Sequence, residues 1–288
     1  MSYKKRIIKA FLCLSLSFSL ILETAWARQA KNKSNNPWIT AKSFVVMDID
    51  DGRVLCARKP YLRLPAASTV KVMTAIVVLE NSSLKKSVIV SAKAANTQAS
   101  KAYLGEGATY STYELLQALL ISSANDAAVA LAESVGGTEA NFAKMMNKKA
   151  RALGMKNTYF INASGLPDKE KRHHTTAYDL AILMRYAAKN KVFNEIMAKQ
   201  SCVIKGSDGR RLYLKNHNKL LKSNPKFVVG KTGYTLRAKH CFLGASPGER
   251  KDIVFSLLYS HNPWQDVRRL ATYGLYLETN KSNNKRKK

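Results

Sequence analysis

The chain is short of acid, of cysteine and of long apolar runs, and each shortage removes a class of explanation. Asp and Glu total 19 against 48 Lys and Arg, a formal net charge of +29. An excess of that size ordinarily points to a nucleic-acid partner. The four cysteines, at positions 13, 56, 202 and 241, include no Cys-x-x-Cys pair, so neither a disulfide framework nor a metal site is expected. The five histidines show no ligand spacing; His173 and His174 are adjacent, cannot share one helical face, and read as surface loop. The apolar run from Ala10 to Leu22 covers thirteen residues, about 20 Å of helix against a hydrocarbon core of about 30 Å. No later run is long and apolar enough to span a membrane.

What that first run does fit is an export signal. Lys4, Lys5, Arg6 and Lys9 precede it and Ala25-Trp26-Ala27 follows it, so a signal peptide is expected over residues 1–27, cut after Ala27, with the mature chain in the periplasm or cell envelope. Cys13 leaves with the signal. Export turns the charge argument away from nucleic acid, because the anionic polymers outside a bacterial membrane are lipid headgroups and wall polymers. Much of the excess sits in RQAKNKSNNP and NKSNNKRKK at the two ends, read as a disordered basic arm over residues 28–42 and a basic tail over 279–288. Their expected effect is solubility and loose association with an anionic envelope.

Between these ends the pattern changes twice. SFVVMDID and RVLCARK flank Asp51-Gly52 and read as a hairpin. From Thr112 to about Asn190 the period is helical, with caps or glycines closing STYELLQALLISSANDAAVALAESVGG, TEANFAKMMNKKARALG and TTAYDLAILMRYAAKN. Strands resume at SCVIKGS, RRLYLKN, KHCFLGAS and DIVFSLLYS, and a last helix, WQDVRRLATYGLYLET, sets Val267, Leu270, Ala271, Gly274 and Leu275 along one side. Strands at both ends around a helical block predict an α/β (α+β) fold, with one antiparallel sheet from the two termini, flanking helices and an inserted all-helical lobe. Sites commonly form where two such lobes meet.

Three short motifs fall at that seam. In PAASTVKVMTAIVVLE, Lys71 is the one charge in an apolar stretch, and burying it demands a partner or loss of its proton. On a helix starting after Pro65-Ala66-Ala67, Ser68 and Lys71 share a face, and the serine sees the positive end of the helix dipole. A serine and a lysine three apart also occur by chance. The second motif, Ser123-Ala124-Asn125, interrupts an apolar helical run. It fits a break facing a cleft, or an ordinary loop in which Asn125-Asp126 caps the next helix. The third, Lys231-Thr232-Gly233, opens an apolar strand, and Gly233 leaves room for another molecule's backbone to approach. A phosphate-binding loop is excluded, since no glycine stands five positions before Gly230.

Together and in this order, Ser-x-x-Lys, Ser-x-Asn and Lys-Thr-Gly form the set shared by penicillin-binding proteins and serine β-lactamases. PAASTVKVMTA, ISSANDAAVALAE, NFAKMMNKKARALGMKNTYFINASGLPD, TTAYDLAILMRYA and VGKTGYTLRA resemble the low-molecular-mass D-alanyl-D-alanine carboxypeptidases. The similarity runs from about Ser43 to Glu278, taken as the catalytic domain (43–278), and implies the β-lactamase/transpeptidase-like fold.

The resemblance implies roles. Ser68 is the acylated nucleophile and Lys71 its general base; Ser123 passes a proton toward the leaving amine, and Asn125 holds the peptide's amide groups. Lys231 adds positive potential, Thr232 and Thr235 take the terminal carboxylate, and the main-chain N–H groups of Ser68 and Tyr234 form the oxyanion hole. Gly233 and Tyr234 count with the substrate-binding strand. No cofactor and no metal is implied. The partners implied are a peptidoglycan stem peptide ending in D-alanyl-D-alanine and β-lactams as covalent inhibitors.

Two departures stand out. Family members usually carry Ala-Gly where this chain has Ala238-Lys239-His240, and an arginine before the last helix is replaced by Pro263. Arg237 or Lys239 is then expected to receive the carboxylate. Class A β-lactamases hydrolyse their acyl intermediate with a glutamate some 40 residues beyond the second motif. Between Glu139 and Glu170 this chain has only Asp168, so slow release of penicillin is expected. Many membrane-attached relatives add a β-rich domain, and single-domain relatives include enzymes that cut peptidoglycan cross-links. SSANDAA and KTGYT lie nearer the carboxypeptidase pattern, with a D,D-endopeptidase as the alternative. A penicillin sensor would need a tether, and a basic adhesin would need no motif triad.

Overall fold

The computed structural model describes residues 38–167, 172–223, 227–249 and 251–285. The expected signal peptide, residues 28–37 of the basic arm, Asp168 and residues 286–288 lie outside them.

Five antiparallel strands form the central sheet in the order β2-β1-β9-β8-β7. They are β1 (Ser43–Asp48), β2 (Val54–Arg58), β7 (Val229–Thr235), β8 (Lys239–Ser246) and β9 (Ile253–Ser260). N- and C-terminal chain therefore meet at β1 and β9, paired from Ser43–Leu258 to Asp48–Ile253. Every residue of β1 is buried, because alternate side chains feed separate cores. Val45 and Met47 join the larger core shared with the helical lobe. Phe44 and Val46 join a second core with Phe242, Phe255, Val267 and Leu270. An apolar run without alternation is thus a strand covered on both faces, here by helices from the middle and the end of the chain.

The inserted lobe surrounds one helix, α1 (Lys71–Asn81), whose residues from Lys71 to Val78 are all buried. A helix apolar on every side belongs at the centre of its lobe, and its first residue is the lysine. Two short elements follow it, β3 (Ser87–Ile89) and α2 (Ala92–Ala95), with β4 (Thr109–Ser111) pairing back onto β3. Then come α3 (Thr112–Ile121), α4 (Asn125–Gly136), α5 (Glu139–Ala152), α6 (Ala177–Ala187) and α7 (Lys191–Ala198). Ser111 and Glu114 make a reciprocal capping box on α3, and Thr138, Thr176 and Asn190 cap α5, α6 and α7.

The structure departs from the sequence reading at several places. SCVIKGS and RRLYLKN form a separate two-stranded sheet, β5 (Ser201–Lys205) with β6 (Arg211–Lys215). Only Ile204 and Leu214 are fully buried there, with Cys202 and Leu212 packed half-buried against the lobe and the alternate face exposed. After the short α8 (Leu220–Ser223), Lys-Thr-Gly lies inside β7 rather than opening a strand. The disordered arm does not extend to residue 42. Ile39 and Ala41 are buried, and Thr40 hands its N–H and hydroxyl to Asp266 at 2.9 and 2.6 Å. The last helix, α9 (Pro263–Lys285), continues past Glu278 into the expected tail. His173 is buried edge-on against Phe160 rather than exposed in a loop. Cys56, Cys202 and Cys241 sit on β2, β5 and β8.

Lys239 explains one family departure in backbone terms. It begins β8 with φ 53°, a left-handed conformation in which a glycine carries no Cβ penalty. Lys239→Gly is expected to stabilise the fold by about 0.5–1 kcal/mol, seen as a rise in Tm of roughly 2 °C. An unchanged or lower Tm contradicts a strained lysine.

Candidate active site

Ser68 lies in a 3-10 turn, Ala67–Val70, that leads directly into α1. The half-buried serine and the fully buried Lys71 therefore share the start of one helix, with Ser68 Oγ 3.0 Å from Lys71 Nζ. The lysine nitrogen also donates to Asn125 Oδ1 at 2.7 Å and to the Ser164 carbonyl at 2.6 Å. Desolvation, then the charge of Lys231, hold the Lys71 pKa well below its ordinary value, with buried Asp126 pulling the other way. A neutral amine has two N–H groups and one lone pair. Two of its three neighbours are acceptors only, so the lone pair faces the Ser68 hydroxyl. This nitrogen is arranged to take the serine's proton.

The loop behind the nucleophile supplies that second acceptor. Asn162 Oδ1 receives the Gly165 N–H at 2.7 Å and Thr74 Oγ1 donates to the Ala163 carbonyl at 2.6 Å, which fixes Ser164 over Lys71. Gly165 has φ 82°, and a Cβ there would stand 2.0 Å from the Ala67 carbonyl oxygen. The turn carrying Ser68 rests directly on this glycine. Ala67 itself has φ 48° and Ser123 φ 60°, two non-glycine residues in left-handed backbone on either side of the cleft.

Ser123 occupies the break between α3 and α4. Asn125, the first residue of α4, turns inward: Oδ1 accepts from Lys71, and Nδ2 donates to the Gln98 carbonyl at 2.8 Å. Both ends of its amide are engaged, so in this arrangement Asn125 positions Lys71 rather than presenting itself to a peptide. Its neighbour Asp126 accepts the N–H groups of Ala102 and Leu104, each at 3.1 Å, and so fixes the segment beside Ser100 that walls the cleft.

The third wall is β7, an edge strand of the sheet. A Cβ on Gly233 would lie 3.0 Å from the Ser68 nitrogen and 3.1 Å from that of Thr69. Glycine thus permits β7 to press against the nucleophile turn. An edge strand leaves alternate N–H groups outside its ladder, and Tyr234 follows Gly233 in this strand and lines the cleft with Ser68. Lys231 is buried, donates to the Thr232 carbonyl at 3.1 Å, and is desolvated to a pKa of about 7.

Ser68, Ser123, Thr232, Gly233 and Tyr234 line one cleft of about 310 Å³, with Lys71, Asn125 and Lys231 buried and not lining it. Thr235 is not in the cleft. Its hydroxyl accepts the Ala238 N–H at 3.0 Å, and it faces a small cavity with Gly165 and Arg237. Arg237 and Lys239 are not in the cleft lining either. The basic groups among its described lining residues are Lys219, His217 and His240, none of which the sequence reading assigned to the site. Desolvation, Lys231 and Lys71 bring His217 down to about 4, so it is neutral near pH 7. Pro263 and Trp264 form an apolar end wall, with Trp264 edge-on to Phe242 at 6.4 Å. Ser164 and Gly165 were visible only as part of NASGLPD, a stretch without periodicity to mark it.

Known proteins are similar to this chain in sequence and fold. The D-alanyl-D-alanine carboxypeptidase family matches residues 30–259. A D-alanyl-D-alanine carboxypeptidase of Mycobacterium tuberculosis is 37% identical over 221 residues, 76% of this chain and 75% of its own length. A D-alanyl-D-alanine endopeptidase of Pseudomonas aeruginosa is 30% identical over 273 residues, 90% of this chain and 86% of its own. The crystal structure of a D-alanyl-D-alanine carboxypeptidase from Mycobacterium tuberculosis superposes with a TM-score of 0.79 at 31% identity, covering 83% of this chain and 92% of that one. A serine and a buried lysine at one helix start, a serine on the facing break and a Lys-Thr-Gly edge strand thus coincide with a family match over most of the sequence, and the chain belongs to the D-alanyl-D-alanine carboxypeptidase family of serine peptidases.

Proposed function

We propose that the chain is an exported D,D-carboxypeptidase that removes the terminal D-alanine from peptidoglycan stem peptides through an acyl-enzyme on Ser68. One observation carries the reading: a half-open serine hydroxyl 3.0 Å from a wholly buried amine whose pKa is depressed. In acylation Lys71 takes the Ser68 proton as Oγ bonds to the carbonyl carbon of the penultimate residue. The oxyanion is held by the N–H groups of Ser68 and Tyr234, donors of a kind typically worth ~3 kcal/mol each in the barrier. The C–N bond then breaks, the departing D-alanine amine gains its proton by way of Ser123, and water releases the shortened peptide. Lys231 lends positive potential from beneath the cleft and the Thr232 hydroxyl receives the terminal carboxylate, with Lys219 at the rim.

A β-lactam amide would acylate the same serine. Among the described residues no carboxylate lines the cleft to activate water, which supports slow release of the penicilloyl group. Export rests on the charged start, the short apolar run and Ala25-Trp26-Ala27. Endopeptidase action on cross-links is the second reading, favoured by the Pseudomonas aeruginosa relative that matches over nearly its whole length.

Incubating the mature chain with a D-alanyl-D-alanine pentapeptide and with cross-linked dimers separates the two. Faster release of free D-alanine, blocked by benzylpenicillin bound at Ser68 by mass spectrometry, is the expected result. Faster dimer cleavage favours the endopeptidase, and no adduct on Ser68 removes the proposal.

The two lysines also set a pH profile. Lys71 must be neutral to act as base, so kcat/KM falls as pH drops through its lowered pKa. Lys231 must be charged to attract a carboxylate, so KM rises as pH climbs through about 7. A bell-shaped profile is expected, its apparent values belonging to the pair. A flat kcat/KM from about pH 5 to 9 contradicts it.

A further inference from the structure

Beside the catalytic cleft lies a larger groove of about 790 Å³, continuous with it through Ser100, His217 and Lys219. Lys101, Lys215, Lys219 and Lys222 line it, with Tyr103 and Tyr213, each 68% exposed. Among the described residues no acid lines it. Elsewhere a few lysines face carboxylates, as Lys93 faces Glu139 and Lys149 faces Glu80. Among the described residues none of the groove's four lysines has such an ion pair within 4.0 Å. Lys101 is held by the Ala95 carbonyl at 2.6 Å and lies 5.6 Å from the centre of the Tyr103 ring.

Like charges gathered in a concavity repel one another, and the low-dielectric walls focus their potential into the space between them. Two exposed phenol rings add flat surface for the apolar stem of a ligand and hydroxyls for its polar groups. Lys215 and Tyr213 come from β6, whose buried Leu214 and half-buried Leu212 pack against the lobe. This small sheet therefore builds a wall rather than a core.

We propose that the groove seats an acidic part of the substrate peptide upstream of the scissile bond, so that preferred substrates carry a free carboxylate there. The inference deepens the peptidase reading and rests on it for the direction in which the peptide lies. The terminal carboxylate goes to β7, and the chain before the cleaved bond leaves the cleft past Ser100 and His217 into the groove.

The test uses two acetylated peptides ending in D-alanyl-D-alanine. They differ only in whether the side chain of the preceding residue ends in a carboxylate or in the matching amide. Affinities are measured by calorimetry on the Ser68→Ala chain, which binds without turning over. The carboxylate peptide is expected to bind about ten-fold more tightly at ~50 mM salt, with the ratio shrinking at ~0.5 M. Adding Lys215→Gln and Lys222→Gln should bring the ratio near one while leaving the affinity of the amide peptide unchanged. Equal affinities in the first protein, or a preference that survives the two lysine changes, overturns the proposal. Turnover of the amide peptide by the unaltered chain is scored separately: its absence counts against the peptidase reading, whatever the affinity ratio.

Discussion

Replacing Lys71 by arginine is expected to lower the rate of penicillin acylation by about 10⁴-fold, near the upper end of what a positioned general base contributes. The charge is conserved in this change and the chemistry is not. A guanidinium keeps its proton at any pH a protein survives, whereas burial and the neighbouring charge of Lys231 depress the ammonium of Lys71 enough to free its lone pair. Geometry sharpens the contrast, since Asn125 Oδ1 and the Ser164 carbonyl occupy the two N–H groups of the neutral amine. An arginine would hold only donors toward Ser68. Because a fork-shaped cation in a sealed site threatens the fold, Lys71→Gln serves as a second variant: it is neutral, shorter and equally unable to act as base. Loss of acylation in both, with thermal unfolding still cooperative, is the expected outcome. Normal acylation by either removes Lys71 as the base.

Gly165→Ala is expected to have the next largest effect, a fall in acylation of roughly 10²-fold or more together with a stability loss of about 3 kcal/mol. The added methyl would sit 2.0 Å from the Ala67 carbonyl oxygen and 3.2 Å from the Ser68 nitrogen, on a residue already at φ 82°. Neither neighbour is a flexible side chain. Relief requires moving the nucleophile turn or the Ser164 carbonyl, and both fix the distance between Ser68 and Lys71. Gly209→Ala is the control. It has φ 79° and open space around it, so it carries backbone strain of about 1 kcal/mol and no displacement of the site. If the two variants behave alike, close packing at Gly165 is not what holds the nucleophile in place.

Much of the site was legible because its parts are local. Ser68 and Lys71 are one helical turn apart, Ser123 and Asn125 bracket a break that polar residues mark, and Lys231 to Tyr234 run along one strand. The unbroken burial of β1 also follows from an apolar run without alternation. Orientation was not legible. Thr235 has the residue type expected of a carboxylate ligand, yet its hydroxyl closes a turn onto Ala238. Asn125 has both ends of its amide spoken for inside the protein. Arg237 and Lys239 are near in sequence and absent from the cleft lining, while Lys219 and His217, more than ten positions upstream of Lys231, form part of it.

The sequence by itself determined the order of the central-sheet strands and the longer helices, the three motifs and the excess of basic charge, because caps, periods of two and 3.6, and composition act over a few residues. Tertiary structure alone decided which lysines lost water and which kept it. Lys71 and Lys231 are sealed beneath the cleft and give up basicity, whereas Lys215, Lys219 and Lys222 stay exposed to water. The difference is desolvation, which depends on the atoms that folding brings around a nitrogen and not on its neighbours in the chain.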